Sequence, residues 1–104
     1  MKITVRNTIV SGNLGDGFNN NNTAAELLGQ YEEEKLQEYF NRHYSEYEVE
    51  VETRILRNSF GVGGGVTVDS DDDDLNASDI EQELHSLTDS WWGEWLDTEE
   101  AQDA

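Results

Sequence analysis

The chain has 104 residues, enough for one domain with a single modest core, and its 24 Asp and Glu against six Lys and Arg leave a formal net charge of −18. Three Trp, four Tyr and three Phe argue against disorder throughout, because disordered acidic chains are poor in large apolar side chains. With no Cys and no apolar run of membrane-spanning length, disulfide frameworks, thiolate chemistry and helical membrane insertion are excluded.

Lys2 to Val10 alternates, with Ile3, Val5 and Ile9 on one side and Lys2, Thr4, Arg6 and Thr8 on the other, the period of a half-buried strand. Ser11 to Asn22 reads as a long loop, punctuated by Gly12, Gly15, Gly17 and the run Asn19 to Asn22. Thr23-Ala24-Ala25-Glu26 has the form of a capping box and predicts a helix from Thr23 to about Tyr44. Leu28, Tyr31, Leu36, Tyr39, Phe40 and His43, continued by Tyr47, form its apolar stripe, with Glu32, Glu33, Glu34 and Glu38 mostly off it. Glu48 to Leu56 is a second strand, with Val49, Val51, Thr53 and Ile55 facing one way and Glu48, Glu50, Glu52 and Arg54 the other.

Arg57-Asn58-Ser59 can turn the chain, after which Phe60, Val62, Val66 and Val68 alternate on a return strand carrying Gly61, Gly63 and Gly65 on its opposite face. Alternatively, Gly63-Gly64-Gly65 is itself the turn and the register moves accordingly. The run Asp69-Ser70-Asp71-Asp72-Asp73-Asp74 is expected to stay solvated. Ser78-Asp79-Ile80-Glu81 is a second capping box, opening a helix whose stripe is Ile80, Leu84, Leu87, Trp91 and Trp95, widened by Trp92 and Leu96. Thr98 to Ala104 has nothing obvious to bury, so a single domain over residues 1–97 with a frayed acidic tail at 98–104 is expected. The order β-α-β-β-α describes an α+β domain: a three-stranded sheet with both helices on one face. Its other face would bring Lys2 and Arg6 near Glu48, Glu50 and Glu52 if the first two strands are neighbours.

Catalytic constellations are sparse. His43 lies on an apolar stripe, where a satisfied boundary residue is the ordinary role, and His85 follows Glu81 by four residues as in a surface ion pair. Carboxylates in solvated runs lack the apolar pocket that raises a catalytic pKa. If Asp69, Asp71 and Asp73 opened a calcium loop, its sixth position would be Gly and is Asp74, and its twelfth would be Glu and is Ile80. Gly61 to Gly65 has neither the Lys nor the following helix of a phosphate loop. Trp91 and Trp95 complete the second helix's stripe, whereas Trp92 stands at its edge as the residue to be exposed and to anchor a partner. The expectation is a non-enzyme without cofactor or metal. Met1 to Arg6 holds no signal-peptide core, and anionic lipid would repel the chain, which suits a cytoplasmic location.

Charge is distributed unevenly. Residues 1–57 hold ten acids and all six Lys and Arg; residues 58–104 hold fourteen acids and no Lys or Arg. Such self-repulsion costs stability, so a strongly cationic partner, a basic nucleic-acid-binding protein, is the simplest thing to favour it. Halophilic adaptation would also raise negative charge, but it does not ask for four consecutive Asn. Carboxylates on alternate strand residues, as in Glu48, Glu50 and Glu52, recur about every 6.6–6.8 Å. Those one helical turn apart, such as Asp79 and Glu83, recur about every 6 Å. Both spacings are comparable to successive phosphates along one nucleic-acid strand.

Size, acidity, lack of Cys and α+β make-up together resemble small phage or mobile-element inhibitors of the DNA-mimic type, anti-CRISPR or anti-restriction proteins among them. The resemblance rests on profile and not on a motif. It implies a stoichiometric inhibitor, monomeric or homodimeric, that blocks the nucleic-acid cleft of a bacterial defence complex without touching nucleic acid itself. The contact residues expected are Asp69, Asp71, Asp72, Asp73, Asp74, Asp79, Glu81, Glu83, Glu94 and Asp97, with Glu32, Glu33, Glu34 and Glu38 as a second patch. Two alternatives use the same residues differently: an immunity protein or antitoxin against a basic nuclease, and an acidic adaptor docking through its Trp-bearing helix.

Overall fold

The computed structural model describes residues 1–15 and 17–104. Strand β1 (Lys2–Val10) leads through a short 3-10 turn (Ser11–Leu14) to helix α1 (Asn21–His43), and strand β2 (Glu48–Leu56) is followed by strand β3 (Gly65–Ser70). Helix α2 (Ala77–Leu96) and a short helix α3 (Glu99–Asp103) complete the chain. The sheet order is β2-β1-β3, with β1 parallel to β2 and antiparallel to β3. Parallel neighbours need a crossover, and α1 supplies it.

Alternation along β1 sets the layers. Ile3 and Val5 are buried with Val66 and Val68 of β3 against Leu36 and Phe40 of α1 and Ile80, Leu84 and Trp91 of α2, and Ile9 is buried with Leu28 of α1 and Trp95 of α2, so both helices cover one face of the sheet. The other face stays in water, and its register sets Lys2 opposite Glu48 and Arg6 opposite Glu52. Lys2 reaches Glu50 at 2.8 Å and Arg6 reaches Glu52 at 3.5 Å, both as exposed pairs. The α+β architecture and both strands β1 and β2 are as the alternation requires.

Helix boundaries differ from the capping-box reading for a common reason. Asn20 caps α1, its side chain accepting the N–H groups of Asn22 and Thr23, and Asn76 caps α2 by accepting from Asp79. Asn competes with Ser and Thr for this position, and each Asn lies upstream of the box. The return strand starts at Gly65 and not Phe60, since Gly63 and Gly65 adopt positive φ values of 117° and 123° that turn the chain. Phe60 and Val62 consequently stand in water, 82% and 100% exposed.

Two further corrections concern burial. The tail is helical and packed: Thr98 caps α3 by accepting from Ala101, whose side chain is buried beside Trp95, and the Asn19 N–H donates to the Ala104 carbonyl at 2.7 Å. The stripe of α1 holds at Leu28, Leu36 and Phe40, with Tyr31, Tyr39 and Tyr47 packed partly buried against the core, but it is wider than expected and stops short of His43. His43 is exposed, while Ala24, Ala25, Gly29 and Glu32 are buried with Leu28, Leu36 and Phe40. Gly29 is the reason α1 lies so close to the sheet, for a Cβ there would meet Thr53 Cγ2 at 2.9 Å and Ile55 Cδ1 at 3.0 Å.

Candidate acidic interface

The Asp run is held, not loose. Tyr47 donates its hydroxyl to Asp72 Oδ2 at 2.5 Å, Asp72 Oδ1 accepts the Asp74 N–H at 3.0 Å, and Asp71 Oδ1 accepts the Lys2 N–H at 2.9 Å. The hydrogen bond from Tyr47 holds the Asp72 carboxyl below its ordinary value, and the same bond pushes the Tyr47 phenol up to about 12. Asp69, Asp71, Asp73 and Asp74 are exposed around this staple, and Asp72 is half-buried. Leu75 packs against the core and ties the run to the start of α2.

Helix α2 continues the acidic surface. Its buried stripe (Ile80, Leu84, Trp91, Trp95) fixes which side faces water, and helical periodicity puts Asp79, Glu83, Glu94 and Asp97 within an arc of about 60° on that side. All four are exposed. Glu81 points away from them: its Oε2 accepts the Val68 N–H at 2.9 Å, closing the outer edge of β3. Across the helix pair, Glu94 Oε2 accepts the Tyr31 hydroxyl at 3.1 Å and lies 4.0 Å from Lys35 Nζ. Burial, helped by the hydrogen bond to Glu94, raises the Tyr31 phenol; burial and a hydrogen bond to Glu83 raise that of Tyr39. Between the helices, Lys35, Glu38, Tyr39, Arg42, Glu83 and Leu87 line a groove of about 270 Å³ floored by Trp91.

The second patch is dispersed. Glu32 is buried and does not belong to any surface; the Asn7 amide donates to its Oε1 at 3.3 Å, and burial pushes its carboxyl up to about 7. Glu33 turns toward β2 and accepts the Thr53 hydroxyl at 3.1 Å. Glu38 is paired with Arg42 at 3.1 Å. Glu34 alone joins the acidic surface, sharing a cleft with Glu99 and Glu100 of α3. Those two residues were hidden by the expectation of a frayed tail, although Thr98 followed by two Glu is the ordinary opening of a helix.

Trp92 does not stand free. It is half-buried and stacks edge-on against Phe18 at 6.2 Å, with Trp95 at 5.8 Å. Five of the six bases pair with carboxylates: Lys2, Arg6, Lys35 and Arg42 as above, and Arg57 with Glu26. Each exposed pair contributes little stability, about 0–1 kcal/mol. Their placement matters more: among the described residues no salt bridge reaches Asp79, Asp97, Asp73, Asp74 or α3, whereas Lys2 borders Asp69 and Asp71, and Lys35 reaches Glu94. Among the described residues, no three His, Asp or Glu side chains are grouped to hold a metal ion, and no helix is long and apolar enough to cross a membrane. No protein-family model, curated protein or solved structure matches the chain.

Proposed function

We propose that the protein is a stoichiometric inhibitor acting as a DNA mimic, its acidic surface occupying the nucleic-acid cleft of a bacterial defence complex such as a CRISPR effector or restriction system. One observation carries this reading: Asp79, Glu83 and Glu94, with the C-cap Asp97, share one side of a 20-residue helix that follows the stapled run Asp71 to Asp74. Such a helix spans about 30 Å, the length of several nucleotide steps. Carboxylates fixed on a helix are already spaced for a Lys and Arg groove, so less ordering is lost on binding than with a flexible tail. Affinity then comes from several charge contacts, association is accelerated by steering, and binding weakens as salt rises. The Trp-anchored adaptor loses support, because Trp91 and Trp95 are buried and Trp92 is half-covered by Phe18.

A low-salt pull-down from bacterial lysate, eluted by rising salt, tests the proposal. The expected result is one discrete DNA-binding complex whose DNA binding is lost as inhibitor reaches equimolar amounts. Indiscriminate recovery of basic proteins, or recovery of a complex that still binds DNA, would overturn it.

A further inference from the structure

The two edges of the sheet differ. On β3, six residues long, Glu81 already occupies the Val68 N–H. The nine-residue β2 edge has no such cover. Glu48 N–H donates to the Met1 carbonyl at 3.0 Å, so even-numbered residues of β2 aim their backbone groups at β1. Val49, Val51, Thr53 and Ile55 therefore aim theirs outward, where no backbone partner is found among the described residues.

Carboxylates flank this edge on both sides. Glu48, Glu50 and Glu52 are exposed on the open face of the sheet. On the helix side, Glu26 and Glu33 border a groove of about 290 Å³ between α1 and the edge. Lys2 and Arg6 engage Glu50 and Glu52 from the β1 side, Arg57 engages Glu26, and Arg54 is exposed on the open face, so the carboxylates without a salt-bridge partner among the described residues are Glu48 at the start of the edge and Glu33 beside it. The edge also starts one residue after Tyr47, the residue that staples Asp72, so it is continuous with the acidic end of the molecule.

We infer that the β2 edge accepts an extended, Lys- or Arg-rich segment of the cationic partner as a fourth strand. Its backbone would pair with Val49, Val51, Thr53 and Ile55, and its alternating side chains would lie over Glu48 and Glu50 on one face and beside Glu33 on the other. Backbone pairing supplies affinity in this mode and side-chain chemistry supplies selection. A second copy paired antiparallel about Val51 would set Glu48 opposite Arg54 but Glu50 opposite Glu52, and the like-charged pair at the centre disfavours it as the occupant. The inference rests on the cationic-partner reading above.

Two probes separate backbone pairing from charge attraction: an alternating Lys-Val octapeptide, and the same peptide with alternate amides N-methylated. The expected result is slowed amide exchange at Val49, Val51, Thr53 and Ile55 with the first peptide, and binding at least about tenfold weaker with the second. Thr53→Pro, which removes one edge donor, should weaken the first peptide similarly once circular dichroism confirms the fold. Equal binding of both peptides, with shifts confined to α2 and the Asp run, would overturn the edge site while leaving the cationic-partner reading intact. Failure of both peptides to bind at low salt would count against both readings.

Discussion

Glu32→Gln should stabilise the protein above neutral pH, by an amount that follows from where Glu32 sits. The side chain is buried, its carboxyl is raised from an ordinary 4.5 to about 7, and Asn7 offers it one hydrogen bond. Between those two pH values the folded chain holds a proton that the unfolded chain has released. Stability therefore falls as pH rises through this window, by about 1.4 kcal/mol per unit, and the loss reaches roughly 3 kcal/mol above the folded pKa. Gln keeps the shape and an acceptor for Asn7 but carries no charge, so it removes that loss. Urea unfolding followed by Trp fluorescence should give the two proteins similar midpoints near pH 4.5. Near pH 8 the variant's midpoint should lie higher, on the order of 1–2 M urea. General repulsion among the other acids affects both proteins alike and cancels in the difference. Parallel midpoint curves across the whole pH range would refute the reasoning, because they would mean that Glu32 is ionised as readily folded as unfolded.

Other consequences are more local. Asn20→Ala should cost about 1 kcal/mol by chemical denaturation, whereas Thr23→Ala should cost less, since Asn20 and not Thr23 caps α1. Removing residues 98–104 should lower stability on the order of 2 kcal/mol and shift Trp emission to the red, because α3 covers Trp95. Tyr47→Phe removes the hydroxyl that holds Asp72, so the amides of Asp74 and Leu75 should exchange faster while those of the β1 centre do not change.

Strands β1 and β2 were legible because their period-two alternation continues for nine residues each, and one buried face leaves no alternative register. Helix α2 was legible for the same kind of reason: its apolar stripe is wide and regular. What misled was competition between neighbours of similar propensity. Two Asn caps outcompeted the downstream Thr and Ser, and glycines at positive φ moved the start of β3 past two apolar residues that the alternation had claimed. Glu32 reads as solvated because it stands in a Glu-rich run. Only the buried Asn7 on the inner face of β1, a polar residue among Ile and Val, hinted that the core contains a polar partner. Charge asymmetry, by contrast, was fully visible, but its arrangement was not. Glu81 and Glu33 serve as internal hydrogen-bond acceptors, and α3 adds Glu99 and Glu100 beside Glu34.

The most direct test is displacement of DNA from the captured complex, followed by fluorescence anisotropy, with wild type and a folded Asp79→Lys, Glu83→Lys, Glu94→Lys variant. Wild type should release the DNA near one equivalent at low salt and lose that ability as salt rises, and the variant should need at least about tenfold more protein. Displacement by the variant at the wild-type concentration, or release by wild type that ignores salt, would contradict an anionic surface standing in for a polynucleotide.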